Sequence, residues 1–287
     1  MTCMQSLCIF GRQPALGLAE LESLFGADYI DSVGNQHAVL NIEPKDIDFN
    51  RLGGTMKLAK VLTILPTTNF TKLVAYIEKN IPAHLSYVPE GKLKFGLSTY
   101  DLGVDGPTVS RNSLRIKKAI KSTGRSLRVV PNNEPSLNSA QVLYNQLTGP
   151  LGMELVLIRQ GDATILAQTV AEQDIDAYAA RDQGRPKRDS KVGMLPPKLA
   201  QIITNLGIGQ ANGQLTVLDP FCGTGVVLQE AALMGLGIYG TDLEPRMVDY
   251  TKQNMAWLEE KTGKDLRPTL EVGDATKHAW SASPFSV

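Results

Sequence analysis

The sequence predicts a chain of mixed class, α+β up to about residue 170 and α/β over roughly its last 90 residues. Three observations carry that reading. From Leu215 onward, short apolar runs ending in an acid alternate with amphipathic helical stretches, which is the pattern of a parallel sheet. Before Thr169, helices and strands alternate less regularly and the strands meet in hairpin-like turns. Between Asp174 and Pro197 the periodicity fails altogether, which separates the two regions. The 287 residues, 43% hydrophobic, suffice for about two domains with cores of their own.

In the first region, Ser6–Phe10 suits a short strand. Pro14–Phe25 suits a helix with Leu16, Ala19, Leu21 and Leu24 facing inward and Gly26 as its stop. His37–Ile42 alternates like a strand, and Leu58–Leu65 is a strand that ends at Pro66. A second unit follows. Phe70–Lys79 reads as a helix, Lys92–Thr99 as a strand, Ser110–Thr123 as a helix ending near Gly124, Leu127–Val130 as a strand and Ser139–Leu147 as a helix. Glu154–Gln160 and Ala163–Val170 are strands about a Gly161-Asp162 turn.

The stretch Tyr178–Asp189 is polar, charged and broken by Gly and Pro, as in a linker or a functional loop. Pro197 then opens a helix to about Asn205, with Leu199, Ile202 and Ile203 on one side. The last region reads strand Leu215–Asp219, a glycine-containing turn Pro220–Gly225, helix Val226–Met234, strand Ile238–Asp242, helix Pro245–Lys261 and strand Thr269–Val272. Right-handed crossovers bring Asp219, Asp242 and Asp274 to the carboxyl edge of one parallel sheet, where ligands bind in open α/β folds.

Composition excludes several classes. No apolar run is long enough to span a membrane, and the first residues lack the character of a secretory signal. Three cysteines (Cys3, Cys8 and Cys222) and three isolated histidines provide neither a disulfide framework nor a metal set, so a reducing, cytoplasmic location with no metal is expected. Positive and negative side chains balance at 29 each, but unevenly along the chain. From Gly106 to Asn133 there is no acid, while Arg111, Arg115, Lys117, Lys118, Lys121, Arg125 and Arg128 supply a local excess of cations. Such a run is either a solvated helix face or a phosphate-binding stripe.

The turn after Asp219 narrows the ligand. A dinucleotide would want a third small residue where Leu228 stands, and a carboxylate at the head of the loop repels phosphate. S-adenosylmethionine, with a sulfonium, an ammonium and no phosphate, fits better. Asp242, 23 residues after Asp219, is spaced to bind ribose hydroxyls, and Asp274 to accept from the adenine amine. Three acids at strand ends can also be solvated termini.

Asp219-Pro-Phe-Cys-Gly-Thr-Gly225 resembles motif I of the amino-methylating methyltransferases, and Gly193–Ala200 resembles the segment that closes over the methionine end of their cofactor. Together with Tyr178–Asp189, and with Leu114–Val130 and Asn138–Leu143 similar to a THUMP domain, the whole chain resembles the THUMP-domain tRNA guanine-N2-methyltransferases of the position-10 type. The resemblance implies a ferredoxin-like domain over 1–66, a THUMP RNA-binding domain over 67–172, a charged loop over 173–195 and the first three strands of a Rossmann-like methyltransferase domain over 196–287. It implies a pocket for S-adenosylmethionine formed by Asp219, Pro220, Phe221, Cys222, Gly223, Gly225, Asp242, Leu243, Asp274 and Ala275, with Met194 and Pro197 helping to close it. In that reading Gly223 and Gly225 let the backbone approach the methionine moiety, Cys222 is a packed loop residue, and the stripe Arg111–Arg128 contacts tRNA phosphates.

Members of that family carry a further D/N/S-P-P-Y motif that orients the exocyclic amine. Here the one Pro-Pro pair, Pro196-Pro197, is followed by Lys198. The expectation is a partial copy whose catalytic motif lies beyond Val287, inactive or nearly so as it stands. A non-catalytic THUMP-type RNA binder is the alternative. A DNA amino-methyltransferase shares motif I but is disfavoured by the THUMP-like region.

Overall fold

A computed structural model describes residues 5–189, 195–211 and 215–280. The chain divides into two compact units, one of residues 1–11, 29–49 and 55–174, the other of 12–28, 50–54 and 175–287.

The first unit is built on an eight-stranded sheet. Its strands are β1 (Ser6–Phe10), β2 (Ile30–Val33), β3 (His37–Leu40), β4 (Thr55–Leu65), β5 (Leu93–Tyr100), β6 (Leu127–Val129), β7 (Gly152–Gln160) and β8 (Ala163–Glu172), in the order β2-β3-β1-β4-β8-β7-β5-β6. Pairing is antiparallel from β2 to β7, and β7-β5-β6 are parallel. The expected boundary at residues 66 and 67 falls inside this sheet, because β4 pairs with β1 on one side and β8 on the other.

Two helices, α2 (Phe70–His84) and α3 (Gly106–Lys121), bury one face of the sheet. Leu73, Val74, Ile77 and Ile81 of α2 and Val109, Ile116 and Ile120 of α3 pack with Phe95, Leu97, Leu155, Leu157 and Leu166. Both begin on side-chain caps, Asn69 accepting from Lys72 N and Asp105 from Thr108 N. The short α4 (Ser139–Tyr144) begins with a reciprocal Asn138–Gln141 capping box. On the other face, Lys57 is buried 2.7 Å from Glu154 Oε1 and 3.6 Å from Glu172 Oε2 and donates to Leu137 O. Ser98 and Thr169 also donate to Glu154. Burial works against the Lys57 charge, but the carboxylates, Glu154 first, outweigh it and hold the ammonium above its ordinary value.

The second unit contains the parallel three-stranded sheet β11-β10-β9, from β9 (Thr216–Asp219), β10 (Gly237–Asp242) and β11 (Thr269–Val272). Its helices are α1 (Pro14–Phe25), α5 (Ile175–Gln183), α6 (Pro197–Ile208), α7 (Val226–Leu233) and α8 (Pro245–Thr262). The core joins Val217, Cys222, Leu228, Ala231, Ile238, Met255 and Leu258.

Here α1 departs from the expected amino-terminal block. It clusters with the second unit, and the reason is a buried carboxylate. Glu20 accepts from Gly53 N and Gly54 N, each at 2.9 Å, and from Asn205 Nδ2 of α6 at 2.8 Å. Gly53 must lack a Cβ, which would sit 2.5 Å from Lys198 O. The fully buried residues of α1 are accordingly Gly17, Glu20 and Leu21, with Leu16, Ala19 and Leu24 half-buried. In α6 the expected apolar side is also corrected. Ala200, Gln201, Ile202, Thr204, Asn205 and Ile208 are buried while Ile203 is exposed, because Gln201 and Asn205 bind Asn50 O and Arg51 O. The region 173–195 is likewise not all loop, since it contains α5.

Candidate cofactor site in the second unit

The carboxyl ends of β9 and β10 hold a tight turn between two acids. Asp219 Oδ1 accepts from Phe221 N at 3.1 Å. Asp242 Oδ2 accepts from Gly223 N at 3.0 Å, and its Oδ1 from Glu244 N at 3.0 Å. Asp242 thus ties the glycine turn to the start of α8. Cys222 N donates to Thr241 O at 2.8 Å, which stitches the turn to β10 itself. Asp274, past the end of β11, accepts from Thr276 N and Thr276 Oγ1.

Electrostatics distinguish these acids. Burial raises the Asp219 carboxyl above its ordinary value, opposed by the Phe221 amide and reinforced by the charge of Asp242. The Thr276 hydroxyl and amide hold Asp274 below the usual carboxylate range. Burial pushes the Cys222 thiol up to about 12, so it is a packed thiol and no nucleophile.

The two glycines do different work. Gly223 has φ +52°, and a Cβ there would find nothing closer than Phe221 O at 3.9 Å, so its open side faces solvent. Gly225 has φ +81°, and its Cβ would lie 2.7 Å from Thr251 Cγ2. Gly225 therefore serves the packing of the turn on α8, while Gly223 leaves the turn open on its other side.

Several residues that hold the turn escaped the sequence reading. Thr251 donates to Gly223 O at 2.9 Å. Asn254 Nδ2 donates to Thr224 O and to Lys187 O, and its Oδ1 accepts from Lys187 N, all at 2.9 Å. The only signal for them is that two polar residues, Thr251 and Asn254, share the buried stripe of α8 with Met255 and Leu258. Arg181 of α5 pairs with buried Glu230 of α7 at 2.7 Å.

Of the remaining expected pocket residues, Phe221 and Leu243 stand 75% and 70% exposed, next in sequence to the turn and to Asp242. Pro220 and Ala275 are half-buried. Pro197 is buried in the first turn of α6, and Met194 lies outside the described residues. The chemistry of this set suits a group with cationic and donor edges. Carboxylates stand at every strand end and no cationic side chain lies within 219–225, so S-adenosylmethionine fits and a pyrophosphate does not. Among the described residues no cluster of His, Cys, Asp or Glu could hold a metal, and no helix is long and apolar enough to cross a membrane.

The basic stripe lies in the first unit. Arg111, Arg115, Lys118 and Lys121 are exposed on α3, Lys117 is half-buried there, and Arg128 is exposed on β6. Arg111 donates to Thr108 Oγ1 one turn away on its own helix, and two others of the seven reach further. Arg115 pairs with Glu78 of α2 at 2.8 Å. Arg125 donates to the carbonyls of Val88, Pro89 and Gly91 and so shapes a loop.

Comparison with known proteins adds the following. The model of the RMKL-like methyltransferase domain matches residues 185–277. A tRNA (guanine(10)-N2)-dimethyltransferase of Methanocaldococcus jannaschii is 29% identical over 179 residues, 62% of this chain and 46% of that protein. One of Pyrococcus abyssi is 45% identical over 83 residues, 29% of this chain and 22% of that protein. The aligned stretches thus span less than half the length of these curated relatives. Among solved structures, TrmN from Thermus thermophilus superposes with a TM-score of 0.54 at 18% identity, over 94% of this chain and 73% of its own. SMU.472 complexed with SAH gives 0.53 at 13% identity, over 99% and 79%. These two likenesses establish a shared fold.

Proposed function

We propose that this chain, which belongs through residues 185–277 to the RMKL-like methyltransferase family, binds S-adenosylmethionine in its second unit and tRNA through its first, as part of an enzyme that methylates guanine N2 at position 10. The observation that carries the cofactor reading is the Asp219–Gly223–Asp242 arrangement. A glycine at positive φ opens to solvent between two carboxylates, one of which fixes the glycine's own amide.

Asp219 lies beneath the cationic methionine end, Asp242 holds the ribose diol, and Asp274 accepts from the adenine amine. Phe221 and Leu243 cover the bound group and exclude water. Bound S-adenosylmethionine supplies the electrophilic methyl group. Position and electrostatics then do most of the work, and no covalent enzyme intermediate is needed. The sequence contains no D/N/S-P-P-Y motif to hold the target amine, so this chain is proposed to bind cofactor and RNA with little or no turnover.

The first unit supports the RNA assignment through the exposed cations of α3. Residues 1–66, apart from the parts that cluster with the second unit, and residues 67–172 are proposed to correspond to the ferredoxin-like and THUMP modules sharing one sheet, and a cytoplasmic location accords with that role. Calorimetry with S-adenosylmethionine and a filter-binding titration with tRNA test the two halves. Binding of both, with transfer to a guanine-10 transcript by a protein carrying the missing motif and none to its inosine-10 counterpart, is the expected result. Failure of S-adenosylmethionine to bind would refute the cofactor reading.

A further inference from the structure

Arg185, in the loop after α5, is 3% exposed, and none of its three guanidinium nitrogens has a hydrogen-bond partner. Glu230, a buried acid whose charge it feels, is 2% exposed and already bound by Arg181 through two nitrogens, at 2.7 and 3.2 Å. A buried guanidinium left this way is costly, and its planar fork of donors matches a carboxylate or a phosphate. Burial accordingly weakens its hold on its proton, while Asp182 and Glu230 counter that and Arg188 adds to it.

The backbone beside this cation is tied to the glycine turn. Two residues on, the backbone N–H and C=O of Lys187 are both held by Asn254, and the same amide holds Thr224 O. The strand ends offer Asp219, Asp242 and Asp274 to the cationic and donor groups of a ligand, whereas residues 219–225 include no cationic side chain for an anionic group. The proposed cofactor carries one, its amino-acid carboxylate.

We infer that Arg185 is a receptor for an oxyanion that completes the second unit's site, either the carboxylate of the cofactor's methionine end or a phosphate of the RNA. The inference rests on the ligands assigned under Proposed function. The test compares the wild-type chain with Arg185→Met in calorimetric titrations of S-adenosylmethionine, its decarboxylated form and tRNA, alongside melting of the unliganded proteins.

If the carboxylate is the ligand, the wild type binds S-adenosylmethionine about tenfold or more tightly than the decarboxylated form, and Arg185→Met binds the two alike. If a phosphate is the ligand, the variant loses tRNA affinity and keeps the wild-type cofactor ratio. In both cases the unliganded variant melts no lower than the wild type, because it has lost an unpaired buried charge. A wild type indifferent to the carboxylate, together with a variant unchanged toward tRNA, overturns the inference and leaves the cofactor reading standing. A variant that melts well below the wild type without ligand also overturns it, since Arg185 then serves the fold through Glu230. Should the variant fail to fold at all, the wild-type comparison of the two cofactor forms and the charge-retaining Arg185→Lys decide the matter. A wild type that binds neither form refutes the cofactor reading, and the tRNA arm alone then decides on Arg185.

Discussion

Asn254 and Thr224 form the joint on which the second unit's site depends. The Asn254 amide, completely buried on α8, donates to Thr224 O and also closes a two-way hydrogen-bonded pair with the backbone of Lys187. One side chain therefore sets the glycine turn and the strap 184–189 together. Asn254→Leu leaves the part-buried N–H and C=O of Lys187 without partners and Thr224 O with only the 3.4 Å bond from Gln229 Nε2, and it is expected to cost about 2–4 kcal/mol, with part of the loss recovered by water. Denaturant unfolding measures the cost. A parallel loss of S-adenosylmethionine affinity, about tenfold, checks that the turn is displaced.

The two glycines of the turn separate stability from binding. Gly225→Ala drives a Cβ to 2.7 Å from Thr251 Cγ2 at a φ of +81°, and a loss of about 1–3 kcal/mol is expected. Gly223→Ala meets no such neighbour, so its stability loss is the smaller, confined to the positive φ, while its methyl group projects where the ligand approaches. Calorimetry should show the larger affinity loss for Gly223→Ala and the larger drop in unfolding free energy for Gly225→Ala. The reverse order would refute the division of labour.

Burial raises Glu172 to about 7, against the opposing pull of Lys57. The folded state then holds its proton more tightly than the unfolded chain, whose glutamate titrates near the ordinary value. The stability this group contributes is complete below about pH 4.5 and is lost as pH rises through about 7. Glu172→Gln should therefore gain on the wild type between pH 5 and pH 8, by up to about 3 kcal/mol. Glu20 and Glu230, raised by burial in the second unit, act in the same sense there. Amide exchange of β4, β7 and β8 isolates the first unit's share. A difference between variant and wild type that does not change with pH would overturn this assignment.

Cys222 is 5% exposed and its thiol is pushed up to about 12, so almost no thiolate exists at pH 8. Iodoacetamide at that pH should leave Cys222 unmodified in the native protein and modify it fully in denaturant, as read by peptide mass spectrometry. Rapid native labelling would mean that the turn opens far more often than its hydrogen bonds imply.

Most of the secondary structure was legible because its signals are local. The Pro at the start of α1 and α6 and Gly263 at the end of α8 each sit where the chain turns, whereas the cap at Asp105 opens α3 four residues before the expected start at Ser110. What stayed hidden depends on distant partners. β2 (Ile30-Asp-Ser-Val33) is too short and polar to read as a strand, and it exists by pairing with β3. α5 has no buried residue and little apolar period, and its Tyr178 and Arg181 are tied to Gln201 and Glu230. The placement of α1 turned on Glu20, a charged residue that a hydrophobic pattern assigns to the surface. The placement of Asp219 and Asp242 at strand ends and of the glycines in the turn was readable because strand ends and turns mark themselves. Asn254 and Arg185 were not, because a lone polar residue means nothing until its neighbours are known.

The basic stripe makes a last prediction, because the structure divides its members. Lys118 and Arg111 stand exposed on α3, whereas the Arg125 guanidinium is spent on the carbonyls of Val88, Pro89 and Gly91. If α3 meets RNA phosphates, Lys118→Glu and Arg111→Glu weaken tRNA binding severalfold each and flatten its salt dependence, while leaving the melting temperature of the first unit unchanged. Arg125→Ala should do the opposite, lowering that melting temperature and having little effect on the slope of affinity against salt. Filter binding across a salt series together with thermal melts distinguishes these outcomes. A salt slope that is the same in the wild type and both α3 variants would remove α3 from the RNA interface and leave it a solvated helix face.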